Sequence, residues 1–297
     1  MAVLARPAYR TFEVEVVGVR RLGPSFARIT FGGAHGFGAG GDDQRIKILL
    51  PRPGCTVADL PSGDDWYRSW LAIPEPVRPV ARTYTVRAFR PETGELDVDF
   101  VLHGDGAHSG PASAWAAAAR PGDRIGLVGP DRPGRGQPWG CEWAPPSTAS
   151  RLVIAGDETA VPAVAAIVEG LPADARGVAC LEIPDPADRQ DWNTPRGLEI
   201  RWLARGRAPH GERLVHEVTD VMAELHRPGT TTGPGDADPD GDQLWDVPEP
   251  GATPGRLYGW LAGEAGAIRT LRRLLVHDHG VPRGSVAFMG YWRLGHR

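Results

Sequence analysis

The pattern of this chain changes character half-way along. Up to about residue 147, short β-rich runs are broken by Gly, Pro and Asp; beyond it, strand-like and helix-like runs take turns. A chain built this way is committed to two kinds of layer: an antiparallel barrel or sandwich, then a parallel sheet covered by helices. In the first half the strand-like runs are 12–20, 26–31, 45–50, 82–89, 96–103 and 124–128. One helix interrupts them, the alanine-rich 110–120, with proline near its start and Pro121-Gly122 at its end. In the second half 152–155, 177–183, 198–203, 256–261 and 285–291 read as strands, and 159–169, 212–226 and 264–277 as helices, which implies βαβ units. The expected domains are 1–147 and 148–297. Residues 228–255 include PGTTTGPGDADPDGDQ, too acidic and too poor in apolar side chains to pack, and read as a flexible surface insertion. Its acids lack the full spacing of a calcium loop.

Composition excludes several functions. With 41% apolar and 24% charged residues the chain is an ordinary globular one, and no run of about 18 apolar residues suggests membrane insertion. The start, MAVLARPAYR, lacks the pattern of a secretory leader, so a cytoplasmic location is expected, with a monomer as the default. A net charge of −4 argues against nucleic acid as a partner. Cys55, Cys141 and Cys180 are odd in number and widely spaced, and His277 and His279 lack a ligand pattern, so no metal site is expected. Redox chemistry, if present, then falls to an organic cofactor. Among 33 Lys and Arg residues Lys47 is the only lysine.

The segment Arg82–Arg87, RTYTVR, carries the densest chemistry. On a strand Arg82 and Tyr84 share one face and Thr83 and Thr85 the other. A guanidinium pairs with phosphate, a tyrosine covers a flat ring, and a small hydroxyl reaches a polar edge without crowding it, which together suit a flavin. The plainer reading is an ordinary strand with one exposed arginine.

Taken with RTYTVR, the segments RIKILLP, DFVLHGDGAHSGPASAWA, GDETAVPAV, LAGEAGAIRTLRR and GYWRLG, in this order across nearly the whole chain, resemble the siderophore-interacting proteins. These are flavin-dependent ferric-siderophore reductases of the ferredoxin-reductase-like group. The resemblance implies an N-terminal antiparallel FAD-binding barrel, a C-terminal parallel-sheet NAD(P)H-binding domain and a reactive flavin in the cleft between them. It implies FAD contacts at Arg82, Tyr84 and Thr85, at His103 and Gly104, and at Gly110, Pro111, Ala112 and Ser113. There a helix start offers unpaired N–H groups to a pyrophosphate. It implies NADPH or NADH contacts at Gly156, Asp157, Glu158 and Thr159 and at Gly263 and Glu264, each set following a strand and opening a helix. Without the resemblance, GDET is an acid-rich helix start with Thr159 as N-cap, and Gly263-Glu264 a turn with a favourable acid. Glu182 suits a ribose hydroxyl, whereas Arg189, Arg201, Arg205 or Arg207 suits a 2′-phosphate. The choice of donor stays open. Tyr291 and Trp292 either cover the flavin, close the nicotinamide site or pack the sheet.

The activity implied is hydride transfer from NAD(P)H to flavin, then single-electron delivery to iron held by a ferric siderophore. Electron transfer needs no general acid or base, and no catalytic side chain is assigned. A catecholate ferric siderophore is strongly anionic, so its docking surface should be basic. Lys47 matches a basic position of the family, Arg45 shares its strand face, and Arg132 and Arg135 are further candidates. Some relatives use several lysines there, which this chain lacks. Two alternatives are a general NAD(P)H:flavin or ferric-chelate reductase and a non-catalytic siderophore-binding protein.

Overall fold

The computed structural model describes residues 9–62, 65–103, 110–131, 140–225, 244–248 and 256–295. The chain divides into two compact units, Met1–Cys141 and Glu142–Arg297.

Strands β1 (Tyr9–Gly23), β2 (Phe26–Gly32), β3 (Arg45–Leu50), β4 (Val80–Thr85), β5 (Ala88–Arg90), β6 (Glu95–Val101) and β7 (Arg124–Pro130) form the sheet of the first unit, with helices α1 (Trp66–Ala72) and α2 (Pro111–Ala118). The order is β4-β3-β7-β1-β2-β6-β5 and every pairing is antiparallel. Period-two alternation explains it: Phe12, Val14 and Val16 of β1 are buried while Glu13, Glu15 and Val17 face out. The sheet curls, so that Tyr84 of edge strand β4 meets Phe100 of β6 with ring centroids 4.3 Å apart. Trp115 of α2 plugs the gap, stacked on Phe31 at 6.2 Å. The expected barrel is thus a half-barrel whose two edges are not laddered to each other among the described residues.

The reason lies at 82–89, expected as one strand. It breaks at Val86-Arg87: the Val86 N–H donates to Gln44 O and the Arg87 N–H to Asp97 O, both at 2.8 Å, so the chain leaves β3 for β6 at this point. On the outer surface Arg28 holds Asp99 by two bonds (2.6 and 2.8 Å) and Arg90 holds Asp97 by two at 2.9 Å, knitting β2, β5 and β6.

The second unit contains β8 (Arg151–Gly156), α3 (Val161–Gly170), β9 (Arg176–Ile183), β10 (Gly197–Ala204), α4 (Glu212–Leu225), β11 (Trp245–Asp246), β12 (Leu257–Glu264), α5 (Ala265–Arg273) and β13 (Val286–Trp292). The order is β10-β9-β8-β12-β13-β11. The first five strands are parallel, and β11 runs antiparallel to β13, which makes the sheet mixed. Burial on both faces accounts for the continuous apolar runs of β8 and β12. The sequence order reverses between β8 and β12, and the carboxyl ends of that pair are where open α/β sheets bind ligands.

Within the expected insertion 228–255, Leu244 is buried, Trp245 stacks on Tyr291 at 6.1 Å, and Asp246 pairs with buried Arg272 at 2.9 Å. This part of it is therefore a packed sheet edge; residues 226–243 and 249–255 lie outside the described residues. Among the described residues no helix is long and apolar enough to cross a membrane, and no cluster of His, Cys, Asp or Glu could hold a metal ion.

Candidate functional site

The register of β3 with β4 fixes which side chains share a face. Ile46 opposes Tyr84 and Ile48 opposes Arg82, so Arg82 and Tyr84 lie on the inner face; Arg45 opposes Thr85 and Lys47 opposes Thr83 on the outer one. Tyr84 packs on Phe100, and burial pushes its phenol above the ordinary range, so it stays a neutral ring. Arg82 sits at the exposed edge. It donates to Ala81 O at 2.9 Å, its one side-chain bond among the described residues, which leaves most of its N–H groups available there. Thr85 is buried.

Helix α2 packs against β2, β4 and β6 of the same unit. Its N-cap, Gly110, has no side chain to cap with, and among the described residues no acceptor takes the Ala112 and Ser113 N–H groups, the donors a helix start offers an external acceptor. A Cβ built on Gly110 would meet none of the described residues within 4 Å. A guanidinium, an uncapped helix start and a neutral ring are the donor set a flavin dinucleotide requires. These residues fit FAD.

The Ser113 Oγ accepts from the His103 N–H at 2.8 Å, which ties the segment after β6 to α2. Gly104, Arg132 and Arg135 lie outside the described residues.

On the outer face Lys47 Nζ donates to Thr83 Oγ1 at 2.6 Å. Burial first, then Arg45 and Arg82, hold its ammonium below the ordinary lysine range. No carboxylate pairs with Lys47 among the described residues. Leu49 and Ala81, next along the same face, are covered by Trp66 and Trp70 of α1. Lys47 and Arg45 share this face, with no acid opposite Lys47 among the described residues, an arrangement suited to an anion.

At the carboxyl ends of β8 and β12 the acids turn inward. Asp157 is buried, and its two oxygens accept four bonds: Oδ1 from the Thr159 N–H (2.9 Å) and Oγ1 (2.5 Å), Oδ2 from the Glu264 N–H (2.7 Å) and Trp292 Nε1 (2.7 Å). Burial, then neighbouring Glu158, pushes its carboxyl up to about 7 against the pull of the Thr159 and Trp292 bonds. Glu158 forms a two-bond pair with Arg205 (2.7 and 2.9 Å). Glu182 accepts from the Gly211 N–H (2.8 Å), the Leu214 N–H (3.1 Å) and Arg205 (3.3 Å). Glu264 caps α5 through the Ala267 N–H (2.9 Å) and accepts from the Leu294 N–H (3.1 Å).

These bonds engage several of the side chains expected at the donor site. The carboxylates of Asp157, Glu158 and Glu264 and the hydroxyl of Thr159 are engaged inside the unit, and Gly156 is packed so that a Cβ would meet Ala160 and Ala262. Thr159 is not the N-cap of α3; Ala160 is, with Asp157 bonding the preceding turn. Gly263 is needed for Asp157: its φ is +151°, and a Cβ would lie 2.7 Å from Asp157 Oδ2. Buried Glu182 is not presented to a ribose hydroxyl. Arg205 is held by two buried acids and Arg201 by Glu199, Glu217 and Glu224, which leaves exposed Arg189 and Arg207 for a 2′-phosphate. Sequence reasoning did not find His210. Its ring meets Trp292 edge-on at 5.0 Å and its Nδ1 lies 3.9 Å from Glu158 Oε1, contacts between segments far apart in the chain.

Two family models match the chain. One, described as a siderophore-interacting FAD-binding domain, covers residues 15–134, and the other, described as a siderophore-interacting protein, covers 149–295. The ferric vibriobactin reductase ViuB of Vibrio cholerae is 28% identical over 285 residues, covering 95% of this chain and 89% of that protein. An NADPH-dependent ferric-chelate reductase of Escherichia coli is 31% identical over 68% of this chain and 73% of its own length. Among solved structures, a siderophore utilization protein from T. fusca superposes with a TM-score of 0.69 at 32% identity, covering 97% of this chain and 95% of that one. The ferredoxin-NADP+ reductase of Plasmodium falciparum shares the fold, with a TM-score of 0.59 at 9% identity over 93% of this chain and 94% of its own.

Proposed function

Because the chain belongs to the siderophore-interacting protein family, we propose that it is an NAD(P)H-dependent flavoprotein that reduces ferric siderophore and so releases ferrous iron. The observation that carries this reading is the β3–β4 pair, with a donor set for FAD on one face and Arg45 and Lys47 on the other. We assign FAD binding to the first domain, expected over 1–147, and the electron donor to the second, over 148–297.

Arg82 and the Ala112 and Ser113 N–H groups hold the cofactor's phosphates, and Tyr84, backed by Phe100, gives its ring an apolar wall. Bound FAD supplies the conversion of a two-electron hydride donor into single electrons. Lys47 and Arg45 attract an anionic ferric chelate to the outer face and hold it without supplying or removing a proton. Thr83 fixes the Lys47 ammonium in place. Iron(II) carries less charge than iron(III), so hard oxygen ligands grip it less and reduction frees it. The donor binds at the carboxyl ends of β8 and β12, lined by Thr159, His210 and Trp292, with Arg189 and Arg207 available to a 2′-phosphate. The relative named as NADPH-dependent supports NADPH as a donor, with NADH as the alternative. The reading sets the reaction in the cytoplasm, where the NAD(P)H pool is, with one chain as the working unit.

The experiment is to titrate the purified protein with FAD and mix the loaded protein anaerobically with NADH and, separately, NADPH. Bleaching of the flavin band by either donor is expected. A protein that takes up no FAD, or whose bound FAD neither donor reduces, contradicts the reading.

A further inference from the structure

Trp292 ends β13, half-buried, in register with Glu264 at the end of β12, where the ladder shifts by one residue. A side chain at a strand end next to an irregular pair has few backbone constraints of its own. Its indole Nε1 is nonetheless fixed, 2.7 Å from Asp157 Oδ2. The same oxygen takes the Glu264 N–H at 2.7 Å, so one carboxylate oxygen sets both the β12–α5 turn and the indole. The other oxygen is secured by Thr159, which prevents the carboxylate from rotating. The His210 ring meets the indole edge-on at 5.0 Å, on the segment that Glu182 anchors through the Gly211 N–H at 2.8 Å. Each member of the aromatic pair is therefore held by a buried acid, the indole directly by Asp157 and the His210 segment by Glu182.

We propose that Asp157 is the positioning residue of the donor site: through Trp292 it sets the aromatic wall against which the nicotinamide dinucleotide packs. The inference rests on the reading that the second unit binds NAD(P)H. Asp157 does not touch the dinucleotide; its buried carboxylate acts only by holding the indole. Substitutions at Asp157 and Trp292 should therefore change donor affinity in the same way, and not in sum. Asparagine should substitute for aspartate in part: its carbonyl oxygen can still accept from both the Glu264 N–H and the indole, but its amide then faces the Thr159 N–H, a donor against a donor.

The test uses FAD-loaded protein and four variants: Trp292→Phe, Asp157→Ala, the double variant and Asp157→Asn. The dissociation constant of oxidised NADP+ is measured by calorimetry, with KM and kcat for NADPH beside it. Trp292→Phe, which keeps an aromatic ring but loses the bond, should raise both constants roughly three- to tenfold with kcat little changed. Asp157→Ala should raise them at least as much, the double variant no more than Asp157→Ala, and Asp157→Asn, which keeps the acceptor for the indole, less than Asp157→Ala. Protein reduced with dithionite should pass electrons to ferric chelate at the wild-type rate in all four variants. Unchanged donor constants in Trp292→Phe overturn the inference, even if Asp157→Ala does not fold. So do multiplying effects in the double variant, or equal losses in both half-reactions. If wild-type protein binds neither NADP+ nor NAD+, it is the donor-site reading that fails.

Discussion

Replacing Lys47 by methionine removes one ammonium while keeping most of the stem that packs on the strand face. The consequence for substrate follows from where that charge sits. It is half-buried, bonded to Thr83 at 2.6 Å, with no carboxylate partner among the described residues and with Arg45 and Arg82 near enough to depress its protonation. Two unit charges about 4 Å apart attract by ~1 kcal/mol in water and ~4 kcal/mol at an effective dielectric of ~20. A half-buried site lies between, so the loss is about 2 kcal/mol per unit of chelate charge in contact, or roughly 30-fold in KM. The fold should not suffer, because removing one of three crowded cations relieves repulsion; the melting temperature should hold or rise slightly. The assay is steady-state reduction of an anionic ferric catecholate with a ferrous trap, repeated from low to high salt. KM should rise about 30-fold at low salt, the salt dependence should flatten, and KM for NADPH should not move. Because burial, Arg45 and Arg82 depress its protonation, wild-type protein should begin to lose chelate affinity with rising pH below the ordinary lysine value of 10.5. A wild-type KM in Lys47→Met at low salt would refute the docking face.

Arg82→Ala removes the exposed guanidinium of the inner face, and the dissociation constant of FAD, followed by flavin fluorescence, should rise about 10- to 100-fold; unchanged FAD retention would remove Arg82 from the site. Arg205→Met leaves Glu158 and Glu182 buried without their cation and should cost about 3–5 kcal/mol in urea unfolding. A loss under about 1 kcal/mol there would mean that the pair is compensated by other groups. Asp157 titrates at about 7 in the folded chain and near 3.8 when unfolded, so the folded state holds the extra proton between those values. Stability should fall as pH rises from about 4 to 7, and that component should be missing from melting curves of Asp157→Asn.

How much of this was legible in the sequence depends on how far apart the partners are. The β3–β4 face pattern follows from period-two alternation within RIKILL and RTYTVR, and the structure keeps it. The break at Val86-Arg87 does not follow, because it is set by Gln44, just before β3, and by Asp97 of β6. Helix α1 escaped notice because seven residues carry too little periodicity, and what holds it is packing of Trp66 and Trp70 on Leu49, Leu60 and Val128. GDET was readable as a strand end and helix start from local pattern alone. That its acids face inward was not, since Asp157 meets Trp292 135 positions later and Glu158 meets Arg205 47 positions later. Acids after a strand look like ligands in a sequence; here arginine, indole and backbone N–H groups consume them.

The central claim, that NAD(P)H electrons leave this protein as single electrons to siderophore-bound iron, has one direct measurement. FAD-loaded protein is supplied anaerobically with a limiting amount of NADPH, or of NADH, and an excess of ferric siderophore, and trapped ferrous iron is counted against nicotinamide oxidised. The account predicts two ferrous ions for each nicotinamide consumed, with release that depends on Lys47. Nicotinamide oxidation without ferrous iron, or iron release that proceeds equally well without the protein when free reduced flavin is supplied, would contradict it.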